Sequence, residues 1–158
     1  MTDQPTAQTA REIVDDIAYM VLGTADAAGV PWASPVYFAS DGYRDFYWVS
    51  SPAATHSKNI AARPEVGLVI FDSRAPIGSG QGVYLRATAG EVAEADLGTA
   101  IAIFSSRSVA QGAPPWSADD VRGSAPFRLY RARAIETSML AKDGAPDHRV
   151  VVDITAEA

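Results

Sequence analysis

The stretch DFYWVSSPAATHSKNIAARPEVGLVIFD, residues 45–72, holds the transition on which the fold turns. Its opening run, FYWV, is aromatic and β-branched, the composition of a buried strand. That run stops at Ser50, Ser51 and Pro52, residue types that favour turns. Pro64 pushes the residue before it away from helical angles, so a helix that starts near Thr55 is short. From Glu65, EVGLVIF reads as a second, nearly continuous apolar strand. The spacing therefore predicts a strand, a hydroxyl-rich turn, a helix over residues 56–62 capped by Thr55, and a strand.

Toward the N-terminus, AYMVLGTA (residues 18–25) reads as a buried strand and Asp26–Gly29 as a turn into VPWASPVYFAS. Asp41-Gly42 is a two-residue hairpin signal that joins this strand to FYWV. Before them, Thr9 and Glu12 match a capping box, with Ile13 and Ile17 following on one helix face, and residues 1–8 are expected to form a disordered end. Toward the C-terminus, Val83, Leu85, Ala87 and Ala89 alternate with polar residues, the pattern of a half-buried strand. A helix follows over ADLGTAIAIFSSR, and Ser117 in SADD caps a second short one. FRLYRARAIETSML and HRVVVDI close the chain as strands, linked by KDGAPD. Residues 9–158 thus form one mainly β domain, a small antiparallel barrel or sandwich with few, short helices. FYWV and VGLVIF are apolar on both faces, so part of the outer wall should be covered by helices or by a second subunit, and a homodimer is expected.

Composition removes several function classes. The chain has no cysteine, which excludes disulfides, thiolate catalysis and cysteine-ligated metals. A net charge of -6 lacks the basic face of a nucleic-acid binder. No apolar run reaches the ~20 residues of a membrane span, and MTDQPTAQTAREIVDD shows no signal peptide, so a soluble cytoplasmic protein is expected. The only histidines, His56 and His148, have no second ligand at metal spacing, so no protein-built metal site is expected. Ser79 in GSGQG leads into a strand rather than a helix, which fits neither a nucleophile elbow nor a dinucleotide loop.

Two clusters carry candidate chemistry. The first turn of the helix after Thr55 offers free backbone N–H groups and the positive end of the helix dipole. The hydroxyls of Ser50, Ser51, Thr55 and Ser57 and the ammonium of Lys58 would make it a phosphate site. Taken alone, the segment reads more readily as a capped helix with a solvated lysine. A cation at a helix N-terminus opposes the dipole, however, and a bound anion would relieve that conflict. The second cluster is VPWASPVYF. Pro35 breaks a strand ladder there, implying an edge, a bulge or a ligand-facing position. With Trp32, Tyr37, Trp48 and Tyr84 as flat surfaces, and the backbone at Pro35 and Val36 as polar atoms, the mixture suits a planar heteroaromatic ring.

In order, GVPWASPVYF, a hairpin, residues 45–72 and GQGVYLRATAGEV resemble the FMN-binding split β-barrel family, the pyridoxamine-phosphate-oxidase-like proteins. The resemblance covers residues 17–93, and FRLYRARAIE with the strand after it more loosely. It implies a six-stranded antiparallel split β-barrel, a homodimer, and a flavin in each groove between subunits. It implies that Ser50 and Ser51 lie along the ribityl-phosphate side and that Ser57 and Lys58 grip the phosphate. Pro35 and Val36 would run beside the ring, Gln81 would contact ring or chain, and Trp116 or Arg131 would reach across from the other subunit. The family's vitamin oxidases carry an arginine in the second strand, where WASPVY has no basic residue. The implied activity is therefore hydride transfer between FMN and a small-molecule substrate that is not identified. A deazaflavin-dependent reductase and a non-enzymatic flavin or tetrapyrrole carrier are the alternatives.

Overall fold

The computed structural model describes residues 4–156. Eight strands form one antiparallel sheet: β1 (Tyr19–Ala25), β2 (Pro31–Tyr37), β3 (Ala39–Asp41), β4 (Asp45–Ser50), β5 (Glu65–Phe71), β6 (Gly82–Glu91), β7 (Arg128–Leu140) and β8 (Arg149–Val151). The order across the sheet is β2-β1-β5-β6-β7-β4-β3, with β8 pairing the far half of β7. Side chains alternate across the pleat, so Met20 and Leu22, then Val66, Leu68 and Ile70, then Val83 and Leu85 all point inward and are buried. A register shift between Arg86 and Ala87 marks a bulge in β6, a device that bends a strand and raises its twist. The sheet curls into a half-barrel until β2 approaches β4 across a gap that no backbone ladder crosses.

Three α-helices accompany the sheet among the described residues. α1 (Ala7–Asp16) sets Ala10 and Val14 into the barrel core, and α2 (Thr55–Ala62) adds Ile60 to the same core. α3 (Glu94–Ala110) lies on the outer face, where Leu97, Ala100, Ile101 and Phe104 meet Ala39, Tyr47 and Leu129 in a second core. Strand β4 is therefore apolar on both faces because it has a core on each side. Strand β5 is not covered in this way: Gly67, Val69 and Phe71 face outward, and no helix among the described residues lies over them.

Several local expectations are corrected. There are eight strands rather than six, because the chain leaves β1 at Phe38 and pairs with β4 instead, and because β8 is a separate short strand. α3 has 17 residues and is not short. The hairpin loop is three residues, 42–44, with Gly42 at φ 58° and Tyr43 at φ 56°. Tyr43 is held in that left-handed conformation while its hydroxyl donates to Asp15 at 2.8 Å and its ring lies under Arg11. Thr6, not Thr9, caps α1, accepting from the Thr9 N–H at 3.1 Å, so Ala7 and Gln8 are helical. Ala54 precedes α2, and Thr55 is its first helical residue rather than its cap. The cap at Ser117 is found as expected, with Asp120 closing the box over a turn of 3₁₀ helix, Ala118–Val121.

Candidate functional site

The turn between β4 and α2 is built by its own hydroxyls. Ser50 is the last inward position of β4, and its Oγ lies 2.8 Å from His56 Nε2. Ser51 Oγ accepts from the Ala53 N–H at 3.1 Å, and Ser57 Oγ donates to the Ser51 carbonyl at 2.8 Å. Farther along, Asn59 Nδ2 donates to Thr24 Oγ1 at 3.0 Å, and Arg63 reaches the Ala27 carbonyl. These contacts fix α2 against β1 and the turn after it. Burial of the imidazole pulls the His56 pKa below its ordinary value of 6.5, so the ring favours its neutral form.

The N-terminus of α2 has no side-chain cap and no acidic residue in its first turn. The N–H groups of Thr55, His56 and Ser57 therefore have neither of the usual partners of a helix start. Lys58 is exposed and has no carboxylate within salt-bridge distance among the described residues. This donor set fits a phosphate, though not with every group the sequence suggested. Ser50 is buried and engaged with His56. Ser57 is buried too, and its hydroxyl proton is committed to Ser51, which leaves its backbone N–H as the available donor.

Pro35 sits on β2, an edge strand, opposite Val21 and facing outward, while Val36 points into the core. The Pro35 reading as an edge position matches this placement. Gln81 lies apart from the α2 turn. It precedes β6 beside the residues of α1, whereas Ser50 pairs with Arg128 beyond the opposite end of β6. At ~3.3 Å per residue, the ten residues of β6 separate the two groups by about 30 Å of strand. Trp48 is no ligand surface: it points inward from β4, is fully buried and stacks on Tyr130 with ring centroids 5.8 Å apart. Trp116 packs between Phe104 and Phe127, and Arg131 lies 3.9 Å from Asp96.

Three features escape local sequence reasoning because they join distant segments. The outer sheet face carries a cleft of about 430 Å³ in which the Arg149 guanidinium lies 3.7 Å from the Tyr84 ring centre, flanked by Val21, Val69 and Glu136. Arg107 of α3 donates to the carbonyls of Val14, Asp15 and Ile17 at the end of α1 and covers the Phe38 ring. An aromatic cavity of about 590 Å³ opens beside α3, lined by Tyr19, Tyr37, Phe104, Trp116 and Phe127. The Tyr37 hydroxyl in its wall is sealed from solvent without a hydrogen-bond partner. Burial raises its pKa, and the nearby Arg107 charge offsets part of the rise.

A curled antiparallel sheet left unpaired between β2 and β4, with a short helix beside the opening, is a split barrel. The family model described as Pyridoxamine 5'-phosphate oxidase matches residues 6–141, and the chain belongs to that family. No protein of curated function matches it. Among solved structures, a heme-binding protein from Mycobacterium smegmatis is similar with a TM-score of 0.72 and 22% identity over 93% of this chain. The chain spans 58% of that protein's length. HutZ, the heme storage protein of Vibrio cholerae, is similar with a TM-score of 0.65 and 20% identity, over 85% of this chain and 93% of its own. An F420 reductase is similar with a TM-score of 0.60 and 17% identity, over 81% of this chain and 94% of its own. At these identities the likeness establishes the shared fold.

Proposed function

We propose that this chain is a flavin-dependent oxidoreductase that holds FMN by its phosphate at the start of α2 and acts as a homodimer on a small-molecule substrate. The observation that carries this reading is the uncapped, acid-free N-terminus of α2 with the unpaired Lys58 in its first turn. A phosphate there would accept from the N–H groups of Thr55, His56 and Ser57, from the Ser51 hydroxyl and from Lys58. FMN, when bound, supplies the capacity to accept and deliver hydride. The chain's share is to orient and shield: Asn59 and Arg63 fix the helix that presents the donors, and the outward backbone of β2 at Pro35 borders the groove.

Two observations support a dimer. The outer face of β1 and β5 is apolar and low, with Val21 beside Val69 and Gly23 beside Gly67, so a second copy can approach the sheet closely. Gln81 and the α2 turn stand toward opposite ends of β6, an arrangement in which each can serve a different flavin of a dimer. Gln81 would then meet the flavin held by the partner. The F420 reductase relative favours a deazaflavin as the second reading, and the two heme proteins favour a tetrapyrrole carrier as the third.

Titration of the purified protein with FMN, F420 and heme separates the three. Saturable FMN binding is expected, weakened about 5- to 30-fold by Lys58→Ala, the loss of one solvent-screened charge-assisted contact. The melting temperature of the ligand-free variant should stay unchanged. Failure to bind FMN, or binding that ignores Lys58→Ala, would remove the reading.

A further inference from the structure

The aromatic cavity beside α3 is not used by the phosphate site, and its chemistry differs from it. Its walls come from four places: Ala18 and Tyr19 before and in β1, Tyr37 and Val49 on the outward faces of β2 and β4, α3 with the loop after it, and Phe127 just before β7. None of the lining residues is charged. Consecutive rings meet edge to face, Tyr19 on Tyr37, Tyr37 on Phe104, Phe104 on Trp116 and Trp116 on Phe127, with interplanar angles of 73–76°. The walls thus present ring faces and ring edges in alternation, the arrangement that receives another flat ring most favourably. At about 590 Å³ the cavity is within the ~300–1,000 Å³ range of small-molecule sites.

The polar groups around it are limited. Ser108 Oγ is committed to the Pro114 carbonyl at 2.7 Å, while the Gln111 side chain at the rim has no hydrogen-bond partner among the described residues. The neighbouring cation, Arg107, is held at the end of α1 and is not in the lining. At the mouth, Tyr19 is 61% exposed and Phe127 41% exposed, apolar surface that an occupant would remove from water.

The cavity also stands next to the proposed cofactor turn. Val49 lines it and Ser50 follows directly, while Phe127 lines it and Arg128 pairs with Ser50. We propose that this cavity binds a planar, uncharged ring compound of two or three fused rings, with the Gln111 amide at the rim as a polar contact beside the tyrosine hydroxyls of the wall. Calling that compound the substrate rests on the flavin reading. The binding itself does not.

Calorimetric titration of the full chain with 2-naphthol and with 2-naphthalenesulfonate tests this. Saturable binding of one 2-naphthol per chain is expected, with the sulfonate at least about tenfold weaker because no cation lines the cavity. Ala113→Trp, an exposed substitution that fills the mouth, should weaken 2-naphthol by about tenfold or more, and Phe127→Ala should weaken it about threefold. Urea midpoints of both variants report whether the fold is kept, and Phe127→Ala serves if Ala113→Trp unfolds. Lys58→Ala should leave 2-naphthol binding unchanged, as should saturating FMN. Absence of saturable binding, a preference for the sulfonate, or indifference to both cavity variants overturns the proposal. Competition by FMN also overturns it, since the cavity would then be the flavin's own seat. A chain that ignores FMN yet binds 2-naphthol as described would remove the flavin reading and leave this one standing.

Discussion

Replacing Arg107 by Met should loosen α1 from the barrel. The Arg107 Nη2 atom lies 3.3, 3.2 and 2.9 Å from the carbonyls of Val14, Asp15 and Ile17, and the guanidinium carbon lies 5.3 Å from the Phe38 ring centre. One Nη2 carries two hydrogens, so two of these bonds count at a time. Hydrogen bonds to a charged group contribute about 1.5–3 kcal/mol each, reduced here because the residue is only partly buried. A cation over a ring adds about 0.5–2 kcal/mol. Met keeps the apolar stem but leaves the last carbonyls of α1 without a donor, so a loss of about 2–4 kcal/mol is expected. For a chain of this size that is a fall of about 5–15 °C in melting temperature. Urea denaturation followed by tryptophan fluorescence measures the total, and hydrogen exchange locates it, with α1 amides exchanging faster than those of β5 and β6. Arg107→Lys, which keeps a charge and donors, should recover about half of the loss. A Met variant within about 0.5 kcal/mol of the parent would show that solvent satisfies these carbonyls equally well.

Three further outcomes follow from the same geometry. Because burial lowers the folded-state pKa of His56 below 6.5, the unfolded chain takes up a proton first as the pH falls. Stability should hold above about pH 6.5, decline as the pH drops toward the lowered folded value, and level off below it; the parent's fall relative to His56→Gln, read from urea midpoints across that window, isolates the effect. Asn59→Ala should cost about 1–3 kcal/mol in chemical denaturation, since it removes a buried bond to Thr24, and Asn59→Asp should not restore it, because the single Thr24 proton is directed to the Trp32 carbonyl and a carboxylate buried there is costly. Val69→Glu places a charge at the centre of the uncovered outer face of β5; gel filtration with light scattering should show a dimer for the parent and a monomer for the variant, and an unchanged dimer would move the interface elsewhere.

How far the sequence carries depends on how local each feature is. β4, the turn at Ser50–Ser51, α2 and its end before Pro64 were legible because each is specified within a few residues. The edge position of Pro35 was legible because a missing N–H restricts a strand wherever it occurs. The cap of α1 was misplaced by three residues because Thr6 and Thr9 are chemically equivalent candidates, and only the backbone decides which one accepts. Within the candidate site, the first-turn position of Lys58 was legible, but the commitment of Ser50 and Ser57 to His56 and Ser51 was not, since it depends on how the turn closes. Arg107, the Arg149–Tyr84 stack and the aromatic cavity each join segments far apart in the chain, and no spacing rule reaches them.

The doubly apolar strands show why the remaining step needs the fold. FYWV and VGLVIF carry the same message in sequence, that both faces must be covered, yet they meet it differently. On β4 the second face is closed by α3, within the chain. On β5 the outward Gly67, Val69 and Phe71 have no such cover, and they lie in the same sheet face as the Arg149–Tyr84 cleft. A glycine pair there weakens the strands it sits in, a cost that is offset where another backbone or a flat ring must come close. The open face of β5 and the separation of Gln81 from the α2 turn both lead to one expectation, that the groove is completed by a second copy. The variants then divide the question cleanly. Val69→Glu should abolish dimer and FMN binding together, whereas Lys58→Ala should weaken FMN binding and leave the dimer intact. A monomeric Val69→Glu protein that still binds FMN with parental affinity would show that one chain holds the cofactor alone.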